Sequence, residues 1–474
     1  MDTIVNAKGV PLFYSGASTR HISATHSGPE LYGTSANDTF WGDASVYVTM
    51  HGGAGDDIYH LYSSINKVAE EPGEGIDTVV TWMSYTLPDN VENLTVTDNG
   101  RYAFGNALDN IIQGGAGRQT LDGGIGNDVL IGGSGSDIFV ISKGNGSDLI
   151  VDFEAVDTVR LNGDGLTSFE AVQAHMVQTG SDVQLDLGSD EILVFKDTTI
   201  ENFAPGQFEL PIDKSGMTPS FVDNFDTLSH WNGESGTWDS NFWWGQPNGS
   251  TLSTNGELQW YIDTNYGPTS KVNPFSVGNG ILTITAARAP ADIEPLINNY
   301  EYTSGLLTTH ESFSQTYGYF EMRADLPEVD GTWPAFWLLP EDGSWPPEID
   351  VVETRGQEPN RLFMTAHSNA SGERTTVSST VNVLDTEGFH TYGVLWTEDK
   401  LIWYYDNVEV ARAATPADMH DPMYMLVNLA VGGIAGAPDD GLAAPAEMHI
   451  DYIRAYSLDD VHNGALDTTY DWSV

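Results

Sequence analysis

Cysteine is absent from the 474 residues, so no disulfide framework stabilises this chain. Basic residues are also scarce, since 18 Lys and Arg stand against 68 Asp and Glu, which gives a formal net charge of −50. A surface of this sign repels nucleic acid and anionic membranes, so both are poor partners for the protein as a whole. The surplus of Asp beside many Gly instead favours bound cations, because calcium takes oxygen ligands.

Long apolar runs are absent as well. The most apolar stretch, MLVNLAVGGIAGA, contains an asparagine and is too short to span a membrane. The first residues, MDTIVNAKGVPLFYSG, have neither the basic region nor the apolar core of a cleaved secretory signal. We therefore expect no membrane insertion and no cleaved N-terminal signal.

Glycine and aspartate recur in units of nine residues. Three consecutive units, GGAGRQTLD, GGIGNDVLI and GGSGSDIFV, fill residues 114–140, a degenerate unit precedes them, and an isolated unit begins at Gly52. In this repeat, typical of a parallel β-roll, glycines form tight turns, Asp and turn carbonyls bind calcium, and one apolar residue enters the core. The alternative is a flexible linker. The apolar position, which is kept in all three units, argues against it.

The array is imperfect at its ligand position. Asn110 and Gln119 replace Asp there in two units, so we expect few well-formed calcium sites rather than a continuous row. The candidate ligands are aspartates of the repeats and of the acidic segment after them: Asp56, Asp128, Asp137, Asp148, Asp152 and Asp157.

This half resembles the calcium-binding repeat domains of RTX proteins, over roughly residues 30–210. The resemblance implies Ca²⁺ as cofactor, a type I secretion apparatus as partner and an extracellular location. Such proteins carry an uncleaved C-terminal export signal, and we expect the tail, residues 458–474, to hold it. Folding on extracellular calcium would also account for the acidity, because the carboxylates repel one another without the ion.

The chain changes character after a segment rich in Pro, Gly and Ser. We expect a repeat domain over residues 1–212, a linker over 213–220 and a second domain over 221–457. Ten of the thirteen tryptophans lie between Trp231 and Trp403, among short alternating runs and without a long amphipathic helix. This pattern predicts a β-sandwich, so the whole chain is expected to be all-β.

Three acids lie close together in EIDVVE, residues 348–353. In a regular strand Glu348 and Asp350 share a face, and Glu353 points to the other one. One extra residue bulging within the two valines would return Glu353 to the first face. The two glutamates could then approach the ~5–5.5 Å carboxyl spacing of a retaining glycosidase, with Asp350 in a hydrogen-bonding role. Crowding should raise at least one pKa, as a general acid at neutral pH requires.

Tryptophans flank these acids in GTWPAFWLLP and WPP. Tryptophan stacks on the apolar faces of sugar rings, which favours a carbohydrate cleft. The alternatives are an edge strand with solvated acids or a further calcium site.

The second half is similar to glycoside hydrolase family 16 over about residues 221–457. The signature E-[IL]-D-x-x-E matches the three acids, and the other matching runs are ELQWYID, YTSGLLTT, YGYFEMRADLP and VNLAVGG. The resemblance implies a curved jelly-roll β-sandwich with Glu348 as nucleophile, Glu353 as acid/base and Asp350 assisting.

The resemblance also implies substrate-binding residues. Trp333 and Trp337 would line sugar subsites, with Tyr302 and His367 as further candidates, although His367 could equally be an ordinary strand histidine. Arg355 follows Glu353 by two residues, so in a continuous strand it projects toward the substrate and could grip a carboxylate. Alternatively, Arg355 pairs with a neighbouring acid.

A structural calcium near the chain ends of the sandwich is a further implication of the resemblance. Its ligands would be backbone oxygens of Asn224 and Gly280 and the side chain of Asp451. The alternative is that Asp451 is simply a surface acid.

The predicted function is a secreted, retaining endo-β-glycanase that acts on an acidic bacterial exopolysaccharide. Repeats joined to this catalytic domain are most similar to secreted rhizobial depolymerases of the succinoglycan type. A laminarin-type endo-β-1,3-glucanase is the alternative within the same class. A calcium-dependent polysaccharide-binding matrix protein is the alternative from another class.

Overall fold

A computed structural model describes residues 4–5, 11–12, 20–23, 30–163, 165–383, 386–439 and 441–458. The chain divides between Asp213 and Lys214 into an N-terminal and a C-terminal unit. Within the described ranges, no helix has the length and apolar character needed to cross a membrane. The tail expected to carry an export signal lies, apart from Leu458, outside the described residues.

The N-terminal unit consists of short strands. They are β1 (Ile4–Val5), β2 (Pro11–Leu12), β3 (Arg20–Ser23), β4 (Glu30–Tyr32), β5 (Asp38–Trp41), β6 (Val48–His51), β7 (Ile58–Leu61), β8 (Asn66–Val68), β9 (Thr78–Thr81), β10 (Tyr85–Thr86), β11 (Asn93–Val96), β12 (Arg101–Phe104), β13 (Ile111–Gln113), β14 (Gln119–Asp122), β15 (Val129–Ile131), β16 (Ile138–Ser142), β17 (Asp148–Ile150), β18 (Thr158–Asn162), β19 (Met176–Thr179), β20 (Asp182–Gly188), β21 (Glu191–Phe195) and β22 (Phe208–Glu209). Helix α1 (Phe169–Ala174) and two 3-10 turns (Ile200–Asn202 and Pro205–Gln207) accompany them.

From β10 to β18, successive strands alternate between two sheets in which they pair in parallel, while β4, β6 and β8 form a separate three-stranded sheet. One contains β11, β13, β15 and β17, and the other contains β12, β14, β16 and β18. Leu121 pairs with Ala103 on one side and Phe139 on the other, so one full turn takes two nine-residue units. The chain therefore winds as the predicted parallel β-roll. Antiparallel strands β19, β20 and β21 continue one sheet beyond the parallel turns.

The apolar position of each nine-residue unit fills the core of the roll. Ile112, Leu121, Leu130 and Phe139 are all fully buried. The glycines are required by the tight turns: Gly133 has φ +91°, and a Cβ there would lie 2.2 Å from a backbone oxygen of the adjacent turn. The repeat sequence thus determines both the shape of each turn and how closely the adjacent turn packs against it.

The C-terminal unit is also built of strands. They are β23 (Met217–Asp223), β24 (Gly249–Ser250), β25 (Gln259–Ile262), β26 (Phe275–Gly278), β27 (Ile281–Arg288), β28 (Tyr302–Ser304), β29 (Leu306–Thr308), β30 (Gly318–Asp325), β31 (Thr332–Pro340), β32 (Glu348–Arg355), β33 (Glu358–Ser368), β34 (Thr375–Asn382), β35 (His390–Trp396), β36 (Lys400–Tyr405), β37 (Val408–Ala414), β38 (Met423–Val431) and β39 (Ala446–Leu458). Four 3-10 turns lie between them, at Ser253–Asn255, Gly267–Val272, Glu294–Ile297 and Gly433–Ala435.

Two sheets of this unit pack as a jelly-roll β-sandwich, as predicted. The six-stranded sheet has the order β29-β38-β31-β32-β33-β34, and the larger sheet is centred on β27, β39, β30 and β35. Strand β23 pairs with β39 and begins at Met217, so the segment expected as a linker includes its first residues.

Strand β32 shows how the six-stranded sheet separates the core from its outer face. Ile349, Val351 and Val352 are fully buried in the core between the sheets. Each such side chain contributes about 1.5–3 kcal/mol relative to an exposed one. The apolar residues therefore hold the strand in place, and the acids between them are left for the opposite face.

Candidate active site

A β-bulge in β32 brings the three acids of EIDVVE together. Asp350 pairs with Thr365 of β33 and Glu353 pairs with Phe363, so three steps along β32 oppose two along β33. The extra residue returns Glu353 to the face of Glu348 and Asp350, which confirms the predicted bulge. All three carboxyl groups line one cavity of about 580 Å³.

Each glutamate accepts a hydrogen bond from a tryptophan. The Nε1–H of Trp345 donates to Glu348 Oε2 at 2.6 Å, and the Nε1–H of Trp333 donates to Glu353 Oε1 at 2.8 Å. These bonds restrict the rotation of both carboxyl groups. They also direct the positive ends of two N–H dipoles at the acids.

Asp350 lies between the two glutamates and faces a histidine. His367 Nε2 is 3.4 Å from Asp350 Oδ2 and 3.7 Å from Glu348 Oε1. The other ring nitrogen, Nδ1, is 3.1 Å from Thr376 Oγ1. Among the described residues, Asp350 Oδ2 is buried without a hydrogen-bond partner.

The spacing of Glu348, Asp350 and His367 would also permit a metal ion, since one ligand atom from each lies within 4.8 Å of the others. Calcium, however, prefers six to eight oxygen ligands, and this group offers an imidazole instead. The Trp345 N–H directed at Glu348 further disfavours a cation. The arrangement fits proton transfer and nucleophilic chemistry better than the calcium site considered as an alternative.

Burial raises the pKa values of all three acids, and repulsion between them raises these values further. The pKa of Glu353 rises to about 7, because burial and the charge of Glu348 outweigh the hydrogen bond from Trp333. The pKa of Asp350, which is fully buried, rises well above its ordinary range. This agrees with the expectation that at least one pKa in the group is raised.

Trp333 and Trp337 both line the cavity, and their role as sugar subsites stays a prediction. Trp337 is held from behind, because its Nε1–H donates to Asn428 Oδ1 at 2.8 Å and Asn428 in turn donates to the Tyr261 hydroxyl at 3.0 Å. His367 also lines the cavity, so the structure places it with the acids.

The cavity also contains Trp345 of the WPP run, and it contains residues that the sequence interpretation missed, among them Trp244, Glu257, Arg374 and Asn428. Glu257 and Asn428 lie in ELQWYID and VNLAVGG, so those two runs could have drawn attention to them. Burial raises the pKa of Glu257 to about 7, and its carboxylate accepts from the Leu252 N–H and the Gln259 side chain.

Two predicted substrate-binding residues lie outside this cavity. Tyr302 is buried in the sandwich core, where its ring packs with the apolar residues between the sheets. Arg355 pairs with Glu358 at 3.2 Å and lies over the Phe363 ring at 4.9 Å. Phe363 is the cross-strand partner of Glu353, so Arg355 projects from the face of Glu353 as predicted, and its charge acts to lower the pKa of that group. It pairs with Glu358, the alternative that the sequence left open, and does not line the cavity.

The aspartates of the nine-residue units form ladders along the roll. Asp128 Oδ1 accepts from the Asn110 N–H at 2.7 Å, and the Asp128 N–H donates to Asp148 Oδ1 at 3.0 Å. Among the described residues, the other oxygen of Asp128 is buried and lacks a hydrogen-bond partner. A buried, unpaired carboxylate oxygen is costly unless a cation compensates it, so this position fits calcium.

The second ladder contains Asp137 and Asp157. Asp137 Oδ1 accepts from the Gln119 N–H at 2.7 Å, and the Asp137 N–H donates to Asp157 at 2.9 Å. Asp152 instead uses its two oxygens to accept from the N–H groups of residues 132 and 133, at 2.8 and 2.9 Å. Asp152 therefore closes a turn, and its role as a calcium ligand stays a prediction.

The isolated unit at Gly52 requires a correction. Asp57, rather than Asp56, occupies the position that corresponds to Asp128, and it is fully buried. Asp57, Glu70 and Asp77 together offer three ligand atoms within 4.8 Å of one another, and each has a buried oxygen without a hydrogen-bond partner in the described ranges. Sequence reasoning missed Glu70 because it lies outside the nine-residue pattern.

The calcium predicted in the sandwich is less clearly supported. The backbone oxygen of Asn224 lies 3.7 Å from the position of a Cβ on Gly280, so these two residues do come together. The Asp451 carboxylate, however, pairs with Arg323 at 2.6 Å, which already compensates its charge. The assignment of these residues to calcium stays a prediction.

The buried acids of the roll should make the stability of the repeat unit depend on pH. Burial raises the pKa of Asp57 to about 6 and those of Glu70 and Asp77 to about 8. A carboxyl group with a raised pKa in the folded state contributes stability below its ordinary pKa near 4, which is lost as pH rises through the folded value. In chelator, the thermal transition of the roll should therefore be present at pH 4.5, fall in temperature as pH rises, and be lost near neutral pH. Differential scanning calorimetry checks this, and a rising transition would contradict it.

Saturating calcium provides the control for that measurement. Calcium competes with protons for the same oxygens, so the loaded protein should lose little or no stability over this pH range.

Paired acids beneath tryptophans in an open cavity are characteristic of a carbohydrate-cleaving enzyme, that is, a glycosidase. The pattern of glycosyl hydrolases family 16 matches residues 262–454, and that of the RTX calcium-binding nonapeptide repeat, in four copies, matches residues 104–139. The chain belongs to glycosyl hydrolase family 16 and carries calcium-binding RTX repeats, which confirms both resemblances. Ca²⁺ is therefore its cofactor.

Relatives extend this similarity over nearly the whole chain. The endo-1,3-1,4-beta-glycanase ExsH of Rhizobium meliloti (strain 1021) is 63% identical over 457 residues, which cover 96% of this chain and 98% of the relative. The endo-1,3-1,4-beta-glycanase EglC of the same organism is 56% identical over the same shares. A beta-glucanase of Rhodothermus marinus is 34% identical over 43% of this chain and 74% of its own.

Proposed function

We propose that this glycosidase is an endo-β-glycanase of the 1,3-1,4 type that hydrolyses an acidic bacterial exopolysaccharide with retention of configuration. The observation that carries the proposal is the β-bulge, which puts Glu348 and Glu353 on one face of the cavity, each oriented by a tryptophan. The names of the two rhizobial relatives support the type of linkage.

In the first step, a carboxylate oxygen of Glu348 attacks the anomeric carbon, and the bond to the leaving sugar oxygen breaks. Burial and the charge of Glu348 raise the pKa of Glu353, so Glu353 keeps its proton near neutral pH once Glu348 is ionised, and gives it to that oxygen. In the second step, Glu353 takes a proton from water, the water oxygen attacks the anomeric carbon, and Glu348 leaves. One residue thus serves as acid and then as base.

Asp350 and His367 support the nucleophile in this scheme. The strongly raised pKa of Asp350 keeps it protonated, so it can donate a hydrogen bond to Glu348 and leave that group ionised. His367, 3.7 Å from Glu348 and 3.4 Å from Asp350, adds favourable charge when protonated. Trp333 and Trp337 supply the apolar surface on which sugar rings stack.

The repeats support secretion as part of the same proposal. Without calcium, the buried carboxylates of the roll oppose folding, so a chain kept in low calcium stays suited to export through a type I apparatus. Folding then follows in an extracellular medium that contains calcium.

Release of reducing ends from three polymers tests the substrate. The calcium-loaded enzyme should cleave a purified acidic exopolysaccharide faster than laminarin or mixed-linkage β-glucan, with Glu348→Ala as inactive control. Preference for laminarin would replace the proposal with an endo-β-1,3-glucanase. Binding without release of reducing ends from any polymer would favour a matrix protein.

The stereochemistry of the first product is a separate prediction. If Glu348 forms a covalent intermediate, the two displacements restore the anomeric configuration of the substrate. Proton NMR of the earliest products should therefore show the β-anomer before mutarotation. Early appearance of the α-anomer would rule out the nucleophile role of Glu348.

A further inference from the structure

One side of the cavity is formed by a polar strand edge that carries a single positive charge. Strand β34 presents Thr376 and Ser378 at alternate positions, Arg374 directly precedes the strand, and all three line the cavity. Thr376 pairs with His367 in the sheet, and His367 pairs with Glu348, so this edge lies two strands from the proposed nucleophile. Among the cavity-lining residues that the structure describes, Arg374 is the one Lys or Arg.

The position of Arg374 is held by the turn that precedes it. Ser368 Oγ and the Asn369 N–H donate to the two carboxylate oxygens of Asp418, at 2.7 and 2.6 Å. The guanidinium of Arg374 then lies over the Trp345 ring, 4.6 Å from its centroid. Stacking on an indole holds the plane of the cation and leaves its N–H groups free to donate.

Arg374 differs from the arginines near the other end of β32. Arg355 and Arg361 both pair with Glu358, and each also lies over Phe363. Arg374 is exposed, and no acid forms an ion pair with it among the described residues. Its guanidinium therefore lines the cavity with an aromatic ring as support and with N–H donors available to a ligand.

We propose that Arg374, stacked on Trp345, forms a subsite for a carboxylate carried by the polysaccharide, such as a uronate or an acidic acetal or ester substituent. This rests on the proposed function, because it assumes a glycan bound across the three acids. A chain of net charge −50 repels an anionic polymer at long range, and salt screens that repulsion beyond about 8 Å. A fixed guanidinium in the cavity makes the contact attractive where the sugar binds.

The test compares one polymer in two forms: a native acidic exopolysaccharide, and the same polymer with its carboxyl groups reduced to alcohols. Arg374→Gln should lower kcat/KM on the native polymer by roughly 5–10-fold, mostly through KM, because an exposed charge-assisted contact is lost. On the reduced polymer, Arg374→Gln should match the unsubstituted enzyme. Arg374→Lys should fall between them on the native polymer, since it keeps the charge and loses the planar fork.

Arg361→Gln is the matched control, because it removes the same charge from the same sheet outside the cavity. This substitution should leave kcat/KM unchanged on both polymers. Equal losses with Arg374→Gln on the two polymers, carried by kcat, would overturn the subsite and make Arg374 a support for Trp345. No loss on either polymer would also overturn it. Failure of the unsubstituted enzyme to cleave either form would instead refute the proposed function, independently of Arg374.

Discussion

Glu353→Gln should lower kcat on polysaccharide by about 10²–10⁴-fold, because it removes the proton that the leaving sugar needs. An aryl glycoside with an activated leaving group needs no such proton, so cleavage of its glycosidic bond should be much less affected. In the unsubstituted enzyme, kcat/KM should fall as pH rises through about 7, where Glu353 loses its proton, and this limb should be missing from the variant. Steady-state kinetics on both substrates across pH measure all three effects.

Glu341→Gln is a suitable control for that experiment. Glu341 is an exposed acid just after β31 that accepts a hydrogen bond from Ser314, and it does not line the cavity. Its substitution should leave activity unchanged on both substrates. The comparison uses kcat/KM, which reports the first step, because hydrolysis of the intermediate needs Glu353 as base on either substrate. If Glu353→Gln lost equal factors in kcat/KM on the polysaccharide and the aryl glycoside, Glu353 would not be the acid/base.

Removal of calcium should unfold the repeat unit and leave most of the sandwich folded. The turns of the roll bring buried Asp57 close to Asp77, and elsewhere Asp128 close to Asp148. The repulsion within each group has no compensating cation in chelator. The sandwich has its own apolar core. Hydrogen exchange of the full chain should therefore show unprotected amides over strands β5 to β18 in chelator, and protection there with calcium. Strong protection of these strands in chelator would contradict this.

Glu70→Gln should separate the effect of charge repulsion on the roll from the effect of calcium binding. Loss of one buried charge should stabilise the chelated roll, and loss of one ligand oxygen should raise the calcium concentration needed for full protection. Asp89→Asn provides the control, since Asp89 is an exposed acid of the same unit and should change neither quantity. An unchanged calcium requirement in Glu70→Gln would remove Glu70 from the site.

The sequence predicted the features that are determined by a few consecutive residues. The nine-residue unit contains its own turn, ligand and core residue, so the roll follows from it. The acids of β32 could be placed because valine favours a strand and one bulge has a simple effect on which side Glu353 faces. Trp333 and Trp337 could be placed beside these acids because they lie four residues apart, on one face of the neighbouring strand β31.

The sequence did not predict features that arise from contacts between distant segments. Whether Arg355 reaches the cavity or pairs with an acid was left open, because local composition does not show that the following hairpin brings Glu358 to it. Glu70 comes to Asp57 and Asp77 only when the turns stack, and Arg374 reaches Trp345 only through a hairpin held by Asp418. Tyr302 sits in a matching motif, but which face of β28 it occupies is decided by packing against the core.

The bulge in β32 has a consequence for how such enzymes can diverge. Deleting one of its two valines would remove the bulge, and regular alternation would still leave all three acids on the cavity side. Deleting both would send the last glutamate into the apolar core. Both spacings place the three acids on one face and differ by a single codon, so a lineage could pass from one to the other without an intermediate whose acids are split between the two faces of the strand.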